Sequence, residues 1–310
     1  MSPRQVFHCV RFSGGCIYAR LFDIKSLVLT TMKETNLKQV LSLAAALWAG
    51  SFVAGVAAET PQQRAAELAD VIELTLPTSA GPHPLAILLP GCLSWYPHHA
   101  RWRDALLVRG YAVLHVDSFA ARGLAGRRTL ERLVCSGAQL HGDERAGDVM
   151  AVLESLHQRN DLNLAQTVIF GWSHGGWSAM DLLSRVTAGM LPTNLTAPAN
   201  LEGIDFRAAF IFYPYCGPGS LDGTDGYPAH TRTLMFHGTR DVITNPQQCA
   251  ARARALATAG ATIEFFSMTG SRHWFDNHTE PAAFDAAATA RAGAAIEAAL
   301  ADLEHTRAAP

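Results

Sequence analysis

The residues best suited to chemistry form a glycine-rich hexapeptide, Gly171-Trp172-Ser173-His174-Gly175-Gly176. It follows a short apolar run, residues 167–170, that is typical of a buried strand. A serine at a sharp turn from strand to helix is held in strained geometry, and the turn needs small residues two positions before and after it. Gly171 and Gly175 meet this need, so Ser173 is the predicted nucleophile. The alternative is a glycine-rich turn with a solvated serine.

A serine hydroxyl becomes an effective nucleophile when a base removes its proton, and the base needs an anionic partner that fixes its tautomer. Two later loops offer these groups, since Asp241 follows the apolar run 233–237 and His273 follows the run 261–267. The chain order Ser173, Asp241, His273 is the order that a strand-turn-helix nucleophile requires. We therefore predict a Ser-His-Asp catalytic triad.

Other histidines are weaker candidates for the base. His278, close behind His273, is the second choice. The ring of His174 must leave along the start of a helix, so we expect only its backbone N–H to serve catalysis. His98 and His99 are adjacent in a loop without a spaced third ligand, so no metal site is predicted.

A second backbone donor for an oxyanion hole is expected in the loop after residues 85–89, which begins Pro90-Gly91-Cys92. Gly91 permits close backbone approach, so the N–H of Cys92 is the candidate beside that of His174. Two such donors in a dry site can each lower the barrier by about 3 kcal/mol. The candidates to line the substrate cleft are Trp95, Tyr96, Arg122 and Trp172. For Arg122 the alternative is that it pins its own loop.

These loops must be positioned by the elements that carry them. Nearly continuous apolar runs predict buried strands at residues 85–89, 111–116, 167–170, 208–213 and 233–237. Residues 71–76 alternate as an edge strand would, and a further strand is predicted at residues 261–267. Helix-like stretches alternate with them, at residues 100–109, 144–159, 177–186, 246–259 and 281–305. This alternation predicts an α/β fold with a mostly parallel central sheet and helices on both faces, in which the carboxyl ends of the strands carry the active site.

Composition limits the classes of protein and partner. The 310-residue chain is 49% hydrophobic and 17% charged, which excludes a disordered chain. Its formal net charge of −2 provides no basic field for nucleic acid, so the expected partner is a near-neutral small molecule. The chemistry of the predicted triad needs no cofactor. The oligomeric state stays open.

A charged start, an apolar run over residues 40–54 and a small-residue exit predict a secretory signal peptide, residues 32–58. The polar residues that follow favour cleavage after Ala58 over a retained membrane anchor. Residues 1–31 are then interpreted as an upstream extension that results from a start codon placed too early. The mature chain, residues 59–310, is predicted to be a single domain of an exported protein, either periplasmic or secreted.

Five blocks of the chain carry a family resemblance. They are Leu88-Leu89-Pro90-Gly91-Cys92, Val116-Asp117-Ser118-Phe119 with Arg122-Gly123, the hexapeptide around Ser173, His237-Gly238-Thr239-Arg240-Asp241 and Gly270-Ser271-Arg272-His273-Trp274-Phe275. Together they resemble the dienelactone hydrolase family of the α/β-hydrolase superfamily, over most of residues 70–300. The resemblance implies the α/β-hydrolase fold, with Ser173, Asp241 and His273 as nucleophile, acid and base.

The chain departs from that family at two places. Typical members have a cysteine nucleophile where Ser173 stands, and an arginine shortly after the catalytic histidine where Trp274-Phe275-Asp276-Asn277 stands. Whether dienelactone is a substrate therefore stays open. The cysteines in these blocks also resemble those of exported relatives. Signal cleavage would remove Cys9 and Cys16 from the six cysteines of the chain, and the four that remain suggest two disulfides in an exported protein. The implied pairs are Cys92–Cys135 and Cys216–Cys249, and the alternative is four buried thiols.

These observations predict a serine hydrolase that cleaves carboxylic esters through an acyl-enzyme. Two alternatives stay open: a serine peptidase of the same fold, since amide and ester cleavage share a triad, and a non-catalytic binding protein on a hydrolase scaffold. The expected partner is a small-molecule ester, without nucleic acid and without stable membrane insertion after signal cleavage. The sequence does not fix the acyl or alcohol group.

Overall fold

The computed structural model describes residues 9–12, 15–18, 58–221, 223 and 226–308. The chain divides into two compact units, Met1–Gly55 and Val56–Pro310. The first unit contains an antiparallel strand pair, β1 (Cys9–Phe12) and β2 (Gly15–Tyr18). The predicted signal peptide lies outside the described residues except for Ala58, as does most of the predicted extension over residues 1–31.

The second unit is built on a seven-stranded sheet. Its strands are β3 (Ile72–Thr75), β4 (His83–Leu89), β5 (Ala112–Val116), β6 (Leu162–Trp172), β7 (Phe206–Phe212), β8 (Arg232–Gly238) and β9 (Ile263–Met268). Their order in the sheet is β3-β5-β4-β6-β7-β8-β9, with β3 antiparallel to its neighbour and all other pairs parallel. The predicted α/β class with a mostly parallel sheet is confirmed.

Helices cover both faces of this sheet. They are α1 (Pro61–Leu68), α2 (Pro97–Val108), α3 (Arg127–Leu133), α4 (Gly142–Ser155), α5 (His174–Ala188), α6 (Pro246–Thr258) and α7 (Ala286–Ala308). Successive side chains of β4 point to opposite faces of the sheet and belong to two core layers. Leu85 and Ile87 pack with α4, α5 and α6, whereas Ala86 and Leu88 pack with α2 and α7. Among the described helices, none is long and apolar enough to cross a bilayer.

Local sequence explains where the helices beside the candidate site begin and end. Helix α6 begins after Asn245, whose side-chain oxygen accepts hydrogen bonds from two amides of the first turn, and Pro246 occupies its first position. Helix α5 ends just before Gly189, which adopts the left-handed conformation with φ 63°. These two helices pack against the strands that precede Ser173 and Asp241.

A carboxyl group, Asp181, is buried in the middle of α5. Its side chain is fully inaccessible, and its Oδ1 accepts a hydrogen bond of 3.0 Å from the amide of Leu221. Burial raises the pKa of Asp181 from its ordinary 3.8 to about 8, against the opposing effect of the Leu221 amide and with a further upward contribution from Asp143. The folded protein therefore keeps Asp181 protonated at neutral pH.

We predict that Asp181→Asn changes the pH dependence of stability. Between the unfolded and folded pKa values the folded state holds one more proton, so its stability falls by roughly 1.4 kcal/mol per unit as the pH rises. Asn cannot titrate, so the free energy of unfolding of the variant should rise relative to that of the native protein as the pH goes from about 5.5 to 7.5. Urea unfolding with the disulfides intact measures this difference. Asp70→Asn, an exposed site, is the control. A difference between Asp181→Asn and the native protein that is constant with pH would contradict the prediction.

Candidate active site

Ser173 lies between β6 and α5, at the carboxyl end of a central strand. Its backbone has φ 52° and ψ −114°, a conformation that residues other than glycine rarely adopt. The glycines beside it allow the turn, because a Cβ on Gly171 would lie 2.6 Å from the carbonyl oxygen of Gly175. The turn directs the side chain of Ser173 to a cavity at this edge of the sheet.

The other two predicted triad residues meet Ser173 at this edge. Nε2 of His273, in the loop after β9, lies 3.0 Å from Oγ of Ser173. Nδ1 of the same ring lies 2.6 Å from Oδ2 of Asp241, in the loop after β8. An ionised carboxylate can only accept, so Nδ1 carries the proton and Nε2 is free to accept the proton of the serine hydroxyl. Side chains that are 100 and 32 positions apart along the chain thus form one hydrogen-bonded series.

The surroundings of Asp241 keep it ionised. Its Oδ1 accepts from the amides of Ile243 at 2.8 Å and Thr244 at 3.0 Å, and the Thr244 hydroxyl donates to Oδ2 at 2.9 Å. Burial by itself raises the pKa of Asp241, but the hydrogen bond and charge of His273 and the Thr244 amide outweigh it, and the pKa is lowered. The carboxylate is therefore fixed in orientation and charged beside the imidazole.

A second buried carboxylate, Asp276, supports the candidate triad, and sequence reasoning missed it. Asp276 accepts hydrogen bonds from the hydroxyl of Tyr213 at 2.6 Å and from Nε1 of Trp172 at 2.8 Å. The ring of Tyr213 lies 4.4 Å from the His273 ring, centroid to centroid. Burial, and then the charge of Asp276, raise the pKa of Tyr213 well above its usual range, so it stays a neutral donor. Asp276 thereby fixes one wall against which the imidazole rests.

The two candidate oxyanion donors flank the hydroxyl of Ser173. His174 is the first residue of α5, where a backbone N–H has no acceptor within the helix. On the other side, Gly91 lies against the nucleophile, because a Cβ there would be 3.4 Å from Cβ of Ser173. Cys92, the next residue, lines the cavity. Both residues thus lie beside Ser173, and their backbone N–H groups stay the candidates for an oxyanion hole.

The ring of His174 is engaged away from Ser173. Its Nε2 donates to the carbonyl oxygen of Leu140 at 2.7 Å, which leaves Nδ1 to accept from the Arg145 guanidinium at 3.3 Å. Burial and the charge of Arg145 lower the pKa of His174 to about 3. Arg145 is itself fully buried and also donates to the carbonyl oxygen of Pro90 at 2.8 Å. Sequence reasoning missed Arg145, which holds both sides of the candidate oxyanion hole.

A cavity of about 770 Å³ opens in front of Ser173 and His273. Its wall combines apolar and basic side chains with one disulfide. The residues that line it besides Ser173 and His273 are Cys92, Leu93, Arg127, Glu131, Cys135, Arg240, Val242, Ile243, Arg272, Trp274, Ala282 and Ala283. Val242 and Ile243 are 92% and 69% exposed, so the apolar surface continues outside the cavity. A volume of this size accommodates a small or medium ligand.

Two of the four predicted cleft residues lie elsewhere. Trp172 is 1% exposed and packs on Phe212 in the core layer below α2 and α7, so the expectation that it lines the cleft is wrong. Arg122 forms a bidentate pair with Asp148, at 2.7 and 3.1 Å, and donates to the carbonyl oxygen of Ser118 at 2.9 Å. Arg122 therefore pins its own loop, which is the alternative considered for this residue, because both of its terminal nitrogens bond to groups inside the protein.

The other two cleft candidates stand behind the cavity wall. Trp95 packs on the rings of His99 and His115, at 5.4 and 4.8 Å, and is not among the residues that line the cavity. The ring of Tyr96 lies 5.5 Å from that of Trp274, which does line it. Tyr96 is therefore one layer removed from a bound ligand.

The remaining histidines do not join the series. His278 is exposed and forms no hydrogen bond with Ser173 or Asp241 in the described structure. His98 and His99 are 4% and 2% exposed and face each other, with ring centroids 3.8 Å apart. Within the part of the chain that the structure describes, no group of three or more His, Cys, Asp or Glu side chains is arranged to hold a metal ion.

Both implied disulfides are present, Cys92–Cys135 and Cys216–Cys249. The first lies on the cavity wall. The second joins the loop after β7 to α6 and belongs to the core layer on the α5 face of the sheet. Its sulfur at Cys249 is 3.2 Å from the carbonyl oxygen of Pro214.

Comparison with known proteins shows the fold. No protein-family model matches the chain, and neither does any curated protein. Many solved structures do match it. A protein from Klebsiella pneumoniae assigned as a dienelactone hydrolase is 16% identical, with a TM-score of 0.56, over 74% of this chain and 98% of that one. A propionate-bound esterase from Thermogutta terrifontis is 18% identical, with a TM-score of 0.52, over 75% and 89%.

A further similar structure is a dienelactone hydrolase-like promiscuous phosphotriesterase from metagenomic libraries, which is 15% identical with a TM-score of 0.54 over 75% of this chain and 98% of that one. The match thus covers 98% of the Klebsiella pneumoniae protein and 98% of the metagenomic phosphotriesterase. This likeness confirms the α/β-hydrolase fold. At these identities it shows the fold alone.

Proposed function

We propose that this chain is a serine hydrolase that cleaves carboxylic esters, with Ser173 as nucleophile, His273 as general base and Asp241 as its partner. The observation that carries the proposal is the continuous hydrogen-bonded series from Ser173 Oγ to the Asp241 carboxylate at a cavity wall. The names of the similar structures, an esterase and two proteins of dienelactone hydrolase type, support the same class of chemistry.

In the first half of the reaction, Oγ of Ser173 attacks the ester carbonyl carbon while Nε2 of His273 takes the hydroxyl proton. The carbonyl oxygen becomes negative and accepts hydrogen bonds from the backbone N–H groups of Cys92 and His174. The tetrahedral intermediate collapses when the imidazolium gives its proton to the leaving alcohol. The products of this half are the free alcohol and an acyl ester on Ser173.

In the second half, water replaces the alcohol. Nε2 of His273 takes a proton from the water as its oxygen attacks the acyl carbon, and the same two N–H groups hold the oxyanion. Collapse returns the proton to Oγ of Ser173 and releases the carboxylic acid. Asp241 stays ionised throughout and stabilises the imidazolium. No step requires a cofactor.

The test is a fluorophosphonate probe together with a substrate panel. The probe should add one label per chain, on the peptide that contains Ser173, and short p-nitrophenyl esters should be hydrolysed at a rate that falls with labelling. Absence of both labelling and hydrolysis would sink the proposal and favour a binding protein. Cleavage of peptide amides with kcat/KM equal to that of esters would favour a peptidase instead.

We also propose that the protein is exported. Disulfides persist in oxidising compartments, and the part of the chain that the structure describes contains two of them. Glu59 already belongs to the fold, because its N–H donates to the carbonyl oxygen of Asn194 and its own carbonyl oxygen accepts from the amide of Thr196. Cleavage after Ala58 would leave these contacts intact. Intact mass of the mature protein checks this, since an N-terminus upstream of Met32 would overturn it.

Two arginines at the cavity have no charged partner among the described residues. Arg240 and Arg272 precede Asp241 and His273, are exposed and line the cavity, and neither forms an ion pair in the described structure. Arg127, which also lines it, is paired with Glu131 at 2.8 Å. The cavity is therefore locally positive although the chain has a formal net charge of −2. We expect this field to favour a substrate with an anionic group, which refines the near-neutral ligand expected from composition.

We predict that 4-acetoxybenzoate is hydrolysed with a kcat/KM about tenfold above that of its neutral amide at low salt, after correction for spontaneous hydrolysis. Arg240→Ala and Arg272→Ala should each reduce this ratio about threefold, and added salt should reduce it in the native protein, because the charges are exposed and screened. Arg254→Ala, an exposed site on α6, is the control. Equal rates for the two esters would show that the arginines do not select the substrate.

A further inference from the structure

The two disulfides differ in where they lie. Cys135 is exposed and Cys92 half-buried, and both line the cavity in front of Ser173. Cys216 and Cys249 are 8% and 0% exposed and lie in the core. The first disulfide is thus open to reagents that enter the cavity, whereas the second is shielded by packing.

The Cys92–Cys135 disulfide ends on the loop that carries the candidate oxyanion donor. Gly91, the residue before Cys92, lies in close contact with Ser173. On its other side the chain is held by Arg145, which donates to the carbonyl oxygen of Pro90. The peptide that contains the Cys92 N–H is therefore fixed at one end by a buried guanidinium and at the other by a disulfide.

Cys135, the other half of this disulfide, follows α3, which has a small apolar cluster of its own. Phe119, Leu124, Leu130, Val134 and Leu140 form their own apolar cluster around α3. Cys92 and the neighbouring Leu93 pack against this cluster from outside. Arg127, Glu131 and Cys135 extend from the same segment into the cavity wall. The disulfide is the covalent link between this segment and the loop beside the nucleophile.

We infer that the Cys92–Cys135 disulfide positions the Cys92 N–H as an oxyanion donor, so that hydrolysis depends on the redox state of this one bond. The inference rests on the proposed function. Without the disulfide the loop keeps its contact with Arg145 and its apolar packing but has no covalent tie, so the N–H can move away from the developing oxyanion. A shift of about 1 Å in such a group costs up to about 10²-fold in rate. Residues 92 and 135 act here through the backbone, as positioning residues.

The reaction that would break the bond needs a reductant, and a dithiol supplies it. Its thiolate attacks the sulfur of Cys135, the more exposed residue of the pair, the S–S bond breaks, and Cys92 departs as a thiolate that takes up a proton. The second thiol of the reagent then attacks the mixed disulfide and releases Cys135 as a thiol. The net change is one protein disulfide reduced to two thiols and one dithiol oxidised to its cyclic disulfide.

The experiment treats the folded protein with dithiothreitol, blocks the thiols that appear, and counts them by mass. Under mild conditions we expect two blocked cysteines, at positions 92 and 135, and a fall of about tenfold in kcat for a p-nitrophenyl ester with KM changed less than about threefold. Reoxidation should restore kcat. Cys135→Ser should reproduce the loss, since it keeps the Cys92 backbone but cannot form the bond.

The matched control is Cys216→Ser with Cys249→Ser. The two disulfides have similar sequence separations, 43 and 33, so their loss should reduce stability similarly. If stability alone mattered, both changes would act alike on activity below the melting temperature. We expect the control to lower Tm and leave kcat near that of the native protein, and equal kcat in both variants would overturn the inference. An oxidised protein that hydrolyses no ester would instead count against the proposed function.

Discussion

Ser173→Ala is expected to lower kcat for p-nitrophenyl butyrate by about 10⁴- to 10⁶-fold, with KM changed only a few-fold. The variant loses the hydroxyl that is proposed to form the acyl-enzyme, while the cavity and the candidate oxyanion donors remain. Hydrolysis by water in the cavity, without the serine, limits how far kcat can fall. The measurement is steady-state kinetics at substrate concentrations on both sides of KM.

A nearby serine provides the control for this prediction. Ser178 is fully buried in α5, and its hydroxyl donates to the carbonyl oxygen of His174 at 2.9 Å. Ser178→Ala removes a hydroxyl from the same helix without touching the cavity, so its kcat should stay within about threefold of the native value. Ser173→Ala protein that remains folded and retains more than about 1% of native kcat would place the nucleophile elsewhere.

The strands and the order of the site residues could be predicted because they depend on local patterns. Parallel strands that are buried on both faces are continuous apolar runs, and such runs precede Ser173 and Asp241. The strand before His273, β9, is at the edge of the sheet and is only partly buried. Since the carboxyl ends of parallel strands share one edge of the sheet, the loops that follow them had to converge. The short helix α3 carries no comparable apolar run and was not predicted.

Two errors of the sequence analysis, at Trp172 and Arg145, could have been avoided by applying the periodicity of strands and helices. Alternation along β6 places Trp172 on the face of Val168 and Phe170, which is the core layer under α2 and α7. The pattern thus indicated a core residue where we expected a cleft wall. In α4, Arg145 lies four residues before the buried Val149 and on the same helical face, so a charge on an apolar stripe was visible in the sequence.

Other features had no sequence signal, because their partners come from distant segments. Asp276 receives its hydrogen bonds from residues 104 and 63 positions away, and Arg122 finds Asp148 on a helix 26 positions further on. No periodicity relates such pairs. The candidate triad could be predicted because turn geometry and chain order constrain it, whereas the pairing of Asp276 and of Arg122 depends on tertiary packing.

Gly175 lies where helix α5 packs most tightly against the end of β4. Gly175→Ala is expected to lower the free energy of unfolding by about 3 kcal/mol or more and to abolish ester hydrolysis. A Cβ at this position would overlap the carbonyl oxygen of Leu89 and lie 2.6 Å from that of Pro90. Both atoms are backbone at the end of β4, so no side chain can rotate away. Helix α5 would have to move off the sheet.

That movement acts on chemistry as well as on stability. His174 begins α5, and Pro90 precedes the loop with Cys92, so separating helix and strand pulls the two candidate oxyanion donors apart. Gly293→Ala is the matched control: it is also a helical glycine, nothing lies within 4 Å of its added Cβ, and it should stabilise α7 by up to about 1 kcal/mol. Urea unfolding and kcat of both variants check the prediction. A Gly175→Ala protein with native stability and native kcat would show that helix and strand can separate without cost, and that the donors are not set by their contact.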